Sequence, residues 1–196
     1  MQRNKLSEAI EALQNGRIVV YPTDTLYAFG ADIYNEGAVR KVFEIKKRPF
    51  DSPLPVAVSN FTDIKRIAFV NDNARKLAKH FLPGSLTLIL NKRSTIPDIV
   101  TSRMSKIAIR IPDNTVALEL LSKFGPLTVT SANVHGMETP GIIRDINMQV
   151  REDDVAVYLD YGILQGRPST IVDVTYERPK IIREGVISKH NILAVI

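Results

Sequence analysis

The apolar residues of this chain come in runs of strand length, each bounded by proline, glycine or a small polar cluster. RIVVY (17–21) stops at Pro22, LPVAV (54–58) follows Pro53, SLTLIL (85–90) follows Pro83-Gly84, and KIAIRI (106–111) stops at Pro112. Segments with helical spacing lie between and before them. Leu6, Ile10 and Leu13 precede Gly16, and Val39, Val42, Phe43 and Ile45 precede Pro49. NDNARKLAKHFL (71–82) opens on an Asn or Asp cap, and NTVALELLSKF (114–124) ends at Gly125-Pro126. A period near 3.6 in one stretch and strand-length runs in the next make helices and strands alternate in this part of the chain. Strands dominate later, in LTVTSAN (127–133), VAVYLD (155–160), STIVDVT (169–175) and PKIIR (179–183). The pattern predicts one mixed α/β domain over 1–196, an open twisted sheet flanked by helices. Segment 140–153 has the weakest pattern.

A chain of 196 residues buries a sufficient core without metals or disulfides. It has no cysteine, which removes disulfides, thiolate nucleophiles and Cys-ligated zinc, and fits a cytoplasmic location. No apolar run approaches the roughly 18 residues of a membrane span, and the N-terminal segment lacks the apolar core of a signal peptide. A soluble protein without a membrane partner is expected. The 26 Lys and Arg against 21 Asp and Glu give a net charge of +5, which favours anionic ligands. With only 7% aromatic residues, a small anionic substrate is favoured over a stacking platform for single-stranded nucleic acid.

Several chemistries are absent. No G-x-G-x-x-G, no P-loop and no G-x-S-x-G elbow occurs, and His80, His135 and His190 are too scattered for a metal site. What remains is a set of polar segments where elements end. In YPTDTLYAFGAD (21–32), Thr23, Asp24 and Thr25 follow a buried strand; they are short donors and acceptors that also make ordinary turns. KKRPFDSPL (46–54) ends its helix on Lys46, Lys47 and Arg48 and passes straight into an apolar strand. Compensation of the helix dipole, about 0.3–1 kcal/mol, accounts for the charges but not for that junction. An extended segment there would point Lys46 and Arg48 to one side, a mobile point charge beside a planar fork for phosphate. In SKIAIRIPD (105–113), Arg110 shares a strand face with Lys106 and needs either an internal partner or a ligand. TVTSANVHG (128–136) places Ser131 and Asn133 after a strand, and GRPSTIVDV and IIREG add Ser169, Thr170 and Arg183. Cations and hydroxyls at successive element ends are where α/β sheets collect ligand-binding groups.

Taken in order, YPTDTLYAFGAD, the K-x-R of KKRPFDSPL, PGSLTLIL, IAIRIPD, TSANVHG, PSTIVDVT and IIREG resemble the YrdC/Sua5 family of threonylcarbamoyl-AMP synthases. The resemblance runs from residue 17 to about 185 and matches the single-domain YrdC type rather than the longer Sua5 form. It implies a YrdC-like fold, akin to DHBP synthase, with an open twisted mixed sheet and a basic cavity. It implies synthesis of threonylcarbamoyl-AMP and pyrophosphate from L-threonine, bicarbonate and ATP, with magnesium riding on the phosphates rather than on a protein metal site. It implies downstream partners that pass the group to tRNA for t6A modification, and a possible direct contact with tRNA. The family's catalytic K-x-R falls on Lys46 and Arg48, and its L-threonine contacts fall on Thr25, Arg110 and Ser169. Its ATP contacts fall on Lys46, Arg48, Ser52, Lys106, Ser131, Asn133, Thr139 and Arg183.

The chain departs from the family at four places. Ala57 stands where relatives often carry a threonine-holding histidine. Lys106 replaces a threonine, His135 a serine, and G-P-L-T reads G-S-L-T at Ser85. The alternatives are a non-catalytic RNA-binding protein, and a carbamoyl-adenylate-forming relative with a different acceptor.

Overall fold

A computed structural model describes residues 2–196, apart from the side chains of residues 2, 3 and 152. In chain order the elements are α1 (Gln2–Gln14), β1 (Val19–Tyr21), β2 (Ala28–Gly30), α2 (Glu36–Lys46), β3 (Val56–Ala57), α3 (Phe61–Ile67), β4 (Ala68–Phe69), α4 (Asp72–Phe81), β5 (Leu86–Lys92), β6 (Lys106–Arg110), α5 (Thr115–Phe124), β7 (Leu127–Thr128), β8 (Thr130–Ser131), α6 (Ile143–Asn147), β9 (Val157–Tyr158), β10 (Thr170–Asp173), β11 (Lys180–Arg183) and α7 (Lys189–Leu193). The fold is mixed α/β with helices over open sheets, as the alternation predicts.

The single sheet expected from the sequence is replaced by two. One has the order β8-β2-β1-β9, the other β11-β10-β5-β6-β3-β7, with β4 on β5. The stretch LTVTSAN causes the split: Leu127 and Thr128 pair with β3, while Thr130 and Ser131 pair with β2. One extended run therefore serves both sheets and joins them. Within LPVAV only Val56 and Ala57 form a regular strand, preceded by Pro55, which carries no N–H.

Five of the helices start where a side-chain acceptor meets their free amides. Asn35, Asn60, Asn71, Asn114 and Ser188 cap α2, α3, α4, α5 and α7. Each such cap stabilises a helix start by about 1 kcal/mol. Helix α2 stops at Lys46, two residues earlier than expected. Lys47 takes the left-handed conformation (φ 50°) and closes the helix by donating its amide to Glu44 O. Lys46 and Arg48 are thus not neighbours along an extended segment, and they point to different partners.

Two apolar clusters form the core. Val20, Phe29, Val42, Phe43, Ile64, Leu77, Leu88, Ile109 and Val172 belong to the larger, and Leu6, Leu13, Val19, Tyr21, Leu120 and Leu127 to the smaller. Strand β1 separates them, sending Val20 one way and Val19 and Tyr21 the other, as strand pleating requires. No helix among the described residues is long and apolar enough to cross a membrane.

Candidate functional site

A cavity of about 540 Å³ opens over the outer face of the larger sheet. Its floor comes from residues that alternate outward on adjacent strands: Thr87 and Ile89 on β5, Ala108 and Arg110 on β6, Ile171 on β10. Thr23, Thr25 and Tyr27 from the turn after β1 form one wall, with Ser131 and Thr139. Arg48 and Arg183 complete the cationic lining.

Arg110 is 4% exposed and has found an internal partner without leaving the cavity wall. Its Nη2 donates to Asp24 Oδ1 (2.5 Å) and Gly84 O (3.3 Å), and its Nη1 donates to Thr25 Oγ1 (3.0 Å). Nε, also buried, has no partner among the described residues. Burial pulls the guanidinium's pKa down, and the Asp24 carboxylate opposes that pull. Asp24 is itself held by the Asp113 amide (3.0 Å) and the Ser85 hydroxyl (2.6 Å). The turn that carries it is an ST turn: Thr23 Oγ1 accepts the amides of Thr25 and Leu26 at 3.1 Å each. The turn expected from the sequence is therefore present, and its Thr23 and Thr25 line the cavity.

Ser169 and Arg183 form a second group. Ser169 Oγ lies 2.8 Å from Thr87 Oγ1, and Arg183 donates through Nε (3.2 Å) and Nη2 (2.9 Å) to the Ser169 carbonyl. Burial, then the nearby charge of Arg110, lowers the Arg183 pKa. Arg48 is braced by the turn that follows it: Nε donates to Ser52 O (3.0 Å) and Nη2 to Pro53 O (3.1 Å).

Of the residues singled out by the resemblance, Thr25, Arg48, Arg110, Ser131, Thr139, Ser169 and Arg183 line this cavity. Lys46, Ser52, Lys106 and Asn133 do not. Ser52 contributes its carbonyl to Arg48. Lys106 reaches across the sheet to Asp173 Oδ2 (2.9 Å) and lies 4.1 Å from the Tyr176 ring centre. Lys46 is 2% exposed and sits behind Ser131. Its Nζ donates to Ser131 O (2.5 Å), Asn133 O (2.9 Å) and Asn133 Oδ1 (2.9 Å). Asn133 Oδ1 also accepts from Ser131 Oγ (2.7 Å), so lysine and asparagine together fix the serine. Ala57 pairs in register with Arg110 but packs in the smaller core, off the cavity lining.

Sequence reasoning missed Thr87 as a cavity hydroxyl, Asp24 as the partner of Arg110, and Tyr27. The Tyr27 hydroxyl donates to Gly162 O (2.8 Å) and accepts the Tyr161 amide (2.8 Å); burial pushes its pKa up to about 12. Period-2 alternation along SLTLIL would have put Thr87 and Ile89 on one face. No local signal pairs Asp24 with Arg110 or Tyr27 with Gly162, because these partners lie far along the chain.

Burial, then the charge of Arg48, pushes the Lys46 ammonium's pKa down to about 7. Three acceptors around Nζ work against this, since they favour the charged form. A ¹⁵N NMR titration of the lysine Nζ groups is expected to show Lys46 titrating far below the other lysines. Between about 7 and 10.5 the unfolded chain holds a proton that folded Lys46 has shed. The residue's contribution therefore makes stability rise with pH across that window. A Lys46 that titrates with the rest would show that the three acceptors dominate.

Comparison with known proteins places this geometry. A family model named Sua5_yciO_yrdC, described as "Telomere recombination", matches residues 11–185. A putative threonylcarbamoyl-AMP synthase of Methanocaldococcus jannaschii is 43% identical over 188 residues, covering 95% of this chain and 88% of that protein. The structure of Pyrococcus abyssi Sua5 complexed with L-threonine superposes with a TM-score of 0.93 at 32% identity, over 100% of this chain. The chain spans 58% of that longer protein. Escherichia coli YciO gives a TM-score of 0.87 at 28% identity over 96% of this chain and 92% of its own. With the family model matched over residues 11–185 and nearly the whole chain aligned at 43% identity, the chain belongs to the Sua5/YciO/YrdC family.

Proposed function

We propose that the protein is a threonylcarbamoyl-AMP synthase that condenses L-threonine, bicarbonate and ATP and releases pyrophosphate. One observation carries this reading: Arg48, Arg110 and Arg183 converge with the hydroxyls of Thr25, Thr87, Ser131 and Ser169 on a single cavity. Such a lining gathers a carboxylate, bicarbonate and a triphosphate while offsetting their mutual repulsion. Thr25, Arg110 and Ser169 take L-threonine, with the Arg110 guanidinium turned to its carboxylate. Arg48, Ser131, Thr139 and Arg183 take ATP. Lys46 and Asn133 act from behind by holding Ser131, Ser52 holds Arg48, and Lys106 stiffens the sheet beyond Ala108.

Threonine's neutral amine captures bicarbonate with loss of water, or CO₂ derived from it with loss of an amine proton to solvent, and forms a carbamate. The carbamate oxygen attacks the α-phosphorus, and pyrophosphate leaves. The chain's task is positioning and charge stabilisation, which suits a site without a dedicated base. Its carboxylates do not fit a protein-held magnesium: Asp24 is engaged by Arg110, Asp113 and Ser85. Among the described residues no group of three or more His, Asp or Glu is placed to hold a metal. Magnesium would travel on the triphosphate, and no step is assigned to it. The product would pass, in the cytoplasm, to the machinery that modifies tRNA, which the net charge of +5 leaves the protein free to approach.

Pyrophosphate release from ATP, with threonine and bicarbonate omitted in turn, tests the proposal. Release that needs both is expected. Release indifferent to threonine would point to another acceptor, and none at all, from folded protein with magnesium, would sink the reading.

A further inference from the structure

Segment 160–168 crosses beside the cavity as a strap without regular secondary structure. It is fastened along its length. The Tyr27 hydroxyl holds Tyr161 and Gly162, the Leu164 amide donates to Gly141 O (2.9 Å), and Pro168 O accepts the Val186 amide (3.1 Å). Three glycines make these approaches close. A Cβ on Gly141 would strike Leu164 O, one on Gly185 would strike Pro168 O and the Ser169 carbonyl, and one on Gly166 would strike the carbonyl and Cα of Thr25. None of the three has a left-handed φ. Conformational freedom is therefore not their reason for being glycine; close contact between backbones is.

The Gly166 contact matters most, because Thr25 is the residue whose hydroxyl meets Arg110 Nη1 at 3.0 Å. The turn holding Thr25 is fastened by Thr23 on the inner side, while Gly166 abuts its backbone from the strap. We propose that the strap sets the position of Thr25 and that Gly166, acting only through its bare Cα, is a positioning residue for the amino-acid end of the cavity. The functional part of this inference rests on the proposed synthase reading.

Gly166→Ala adds one methyl, which forces the strap or Thr25 to move. Displacements near 1 Å cost up to about 100-fold in well-oriented reactions. The threonine KM is expected to rise about 10-fold or more, with the ATP KM within about twofold of wild type. Arg167→Ala, on the same strap but exposed, serves as the control and is expected to change neither. Hydrogen exchange without substrates is read in parallel: amides of 23–27 should exchange faster in Gly166→Ala, while those of β5 stay unchanged.

An unchanged threonine KM in folded Gly166→Ala overturns the proposal, and so do equal rises in both KM values. If the wild type uses no threonine, the synthase reading fails on its own; the strap is then judged by exchange, and unchanged rates at 23–27 overturn it. If Gly166→Ala does not fold, Gly141→Ala lifts the strap at Leu164 instead. Faster exchange at 23–27 is expected there too, and wild-type rates would overturn the proposal.

Discussion

Arg110→Ala is expected to abolish measurable threonine-dependent turnover and to remove about 3–5 kcal/mol of stability, the cost of stranding one member of a buried ion pair. The stranded member is Asp24, whose side chain is 13% exposed and which keeps only the Asp113 amide and the Ser85 hydroxyl. For a chain of this length such a loss corresponds to a melting point lower by roughly 6–20 °C. Asp24→Asn combined with Arg110→Gln removes both charges while leaving groups able to hydrogen bond. That double variant is expected to recover much of the stability and none of the turnover. Urea unfolding of the single and double variants separates the two effects. An Arg110→Ala protein as stable as wild type would show that the pair, despite its 2.5 Å contact, adds nothing net to the fold.

Arg48 is the converse case. Its guanidinium lines the cavity while its two hydrogen bonds go to carbonyls of its own turn. Arg48→Ala therefore gives up two charge-assisted hydrogen bonds, about 3–6 kcal/mol before the carbonyls of the partly exposed Ser52 and Pro53 regain water. Burial already lowers the guanidinium's pKa, so removing it also relieves a desolvation cost and offsets part of that loss. Turnover is expected to suffer far more. A preorganised charge aimed at phosphate oxygens contributes about 100- to 1,000-fold to rate when one such donor is removed. The check is kcat/KM for ATP beside the melting temperature of the same preparation. If the fall in activity merely follows the fall in folded fraction, Arg48 is a brace for the Ser52–Pro53 turn and not a clamp.

These two arginines illustrate how far the chain can be read without a structure. Helices α2, α4 and α5 and strands β5 and β6 were legible because their periodicity is local and their caps and stops are adjacent in sequence. Elements β2, α3, β4, α6 and α7 were not anticipated; each spans at most seven residues, too few to show a period. The order of motifs identified the family, and seven of the residues it pointed to meet in one cavity. The chain's periodicity did not reveal that Lys46 faces away from the cavity. The left-handed turn at Lys47 separates it from Arg48, and its partners, Ser131 and Asn133, lie more than eighty residues on.

Strand β11 shows the same division at a single residue. Strict alternation would put Arg183 on the face of Ile181, which packs on the larger core. The pairing instead runs Val172 with Ile181 and Ile171 with Arg183, so Ile182 is an extra residue, a bulge at the sheet edge. The bulge turns Arg183 onto the cavity face, where it meets Ser169. By itself the sequence determined the fold class, the basic character of the cavity and the types of side chain brought to it. Periodicity, caps and charge are properties of neighbouring residues. Only the tertiary structure decided which cations face the cavity and which brace it. That choice depends on strand register, on one bulge, and on acceptors such as Asp24 and Asn133, all of which are set by contacts between distant segments.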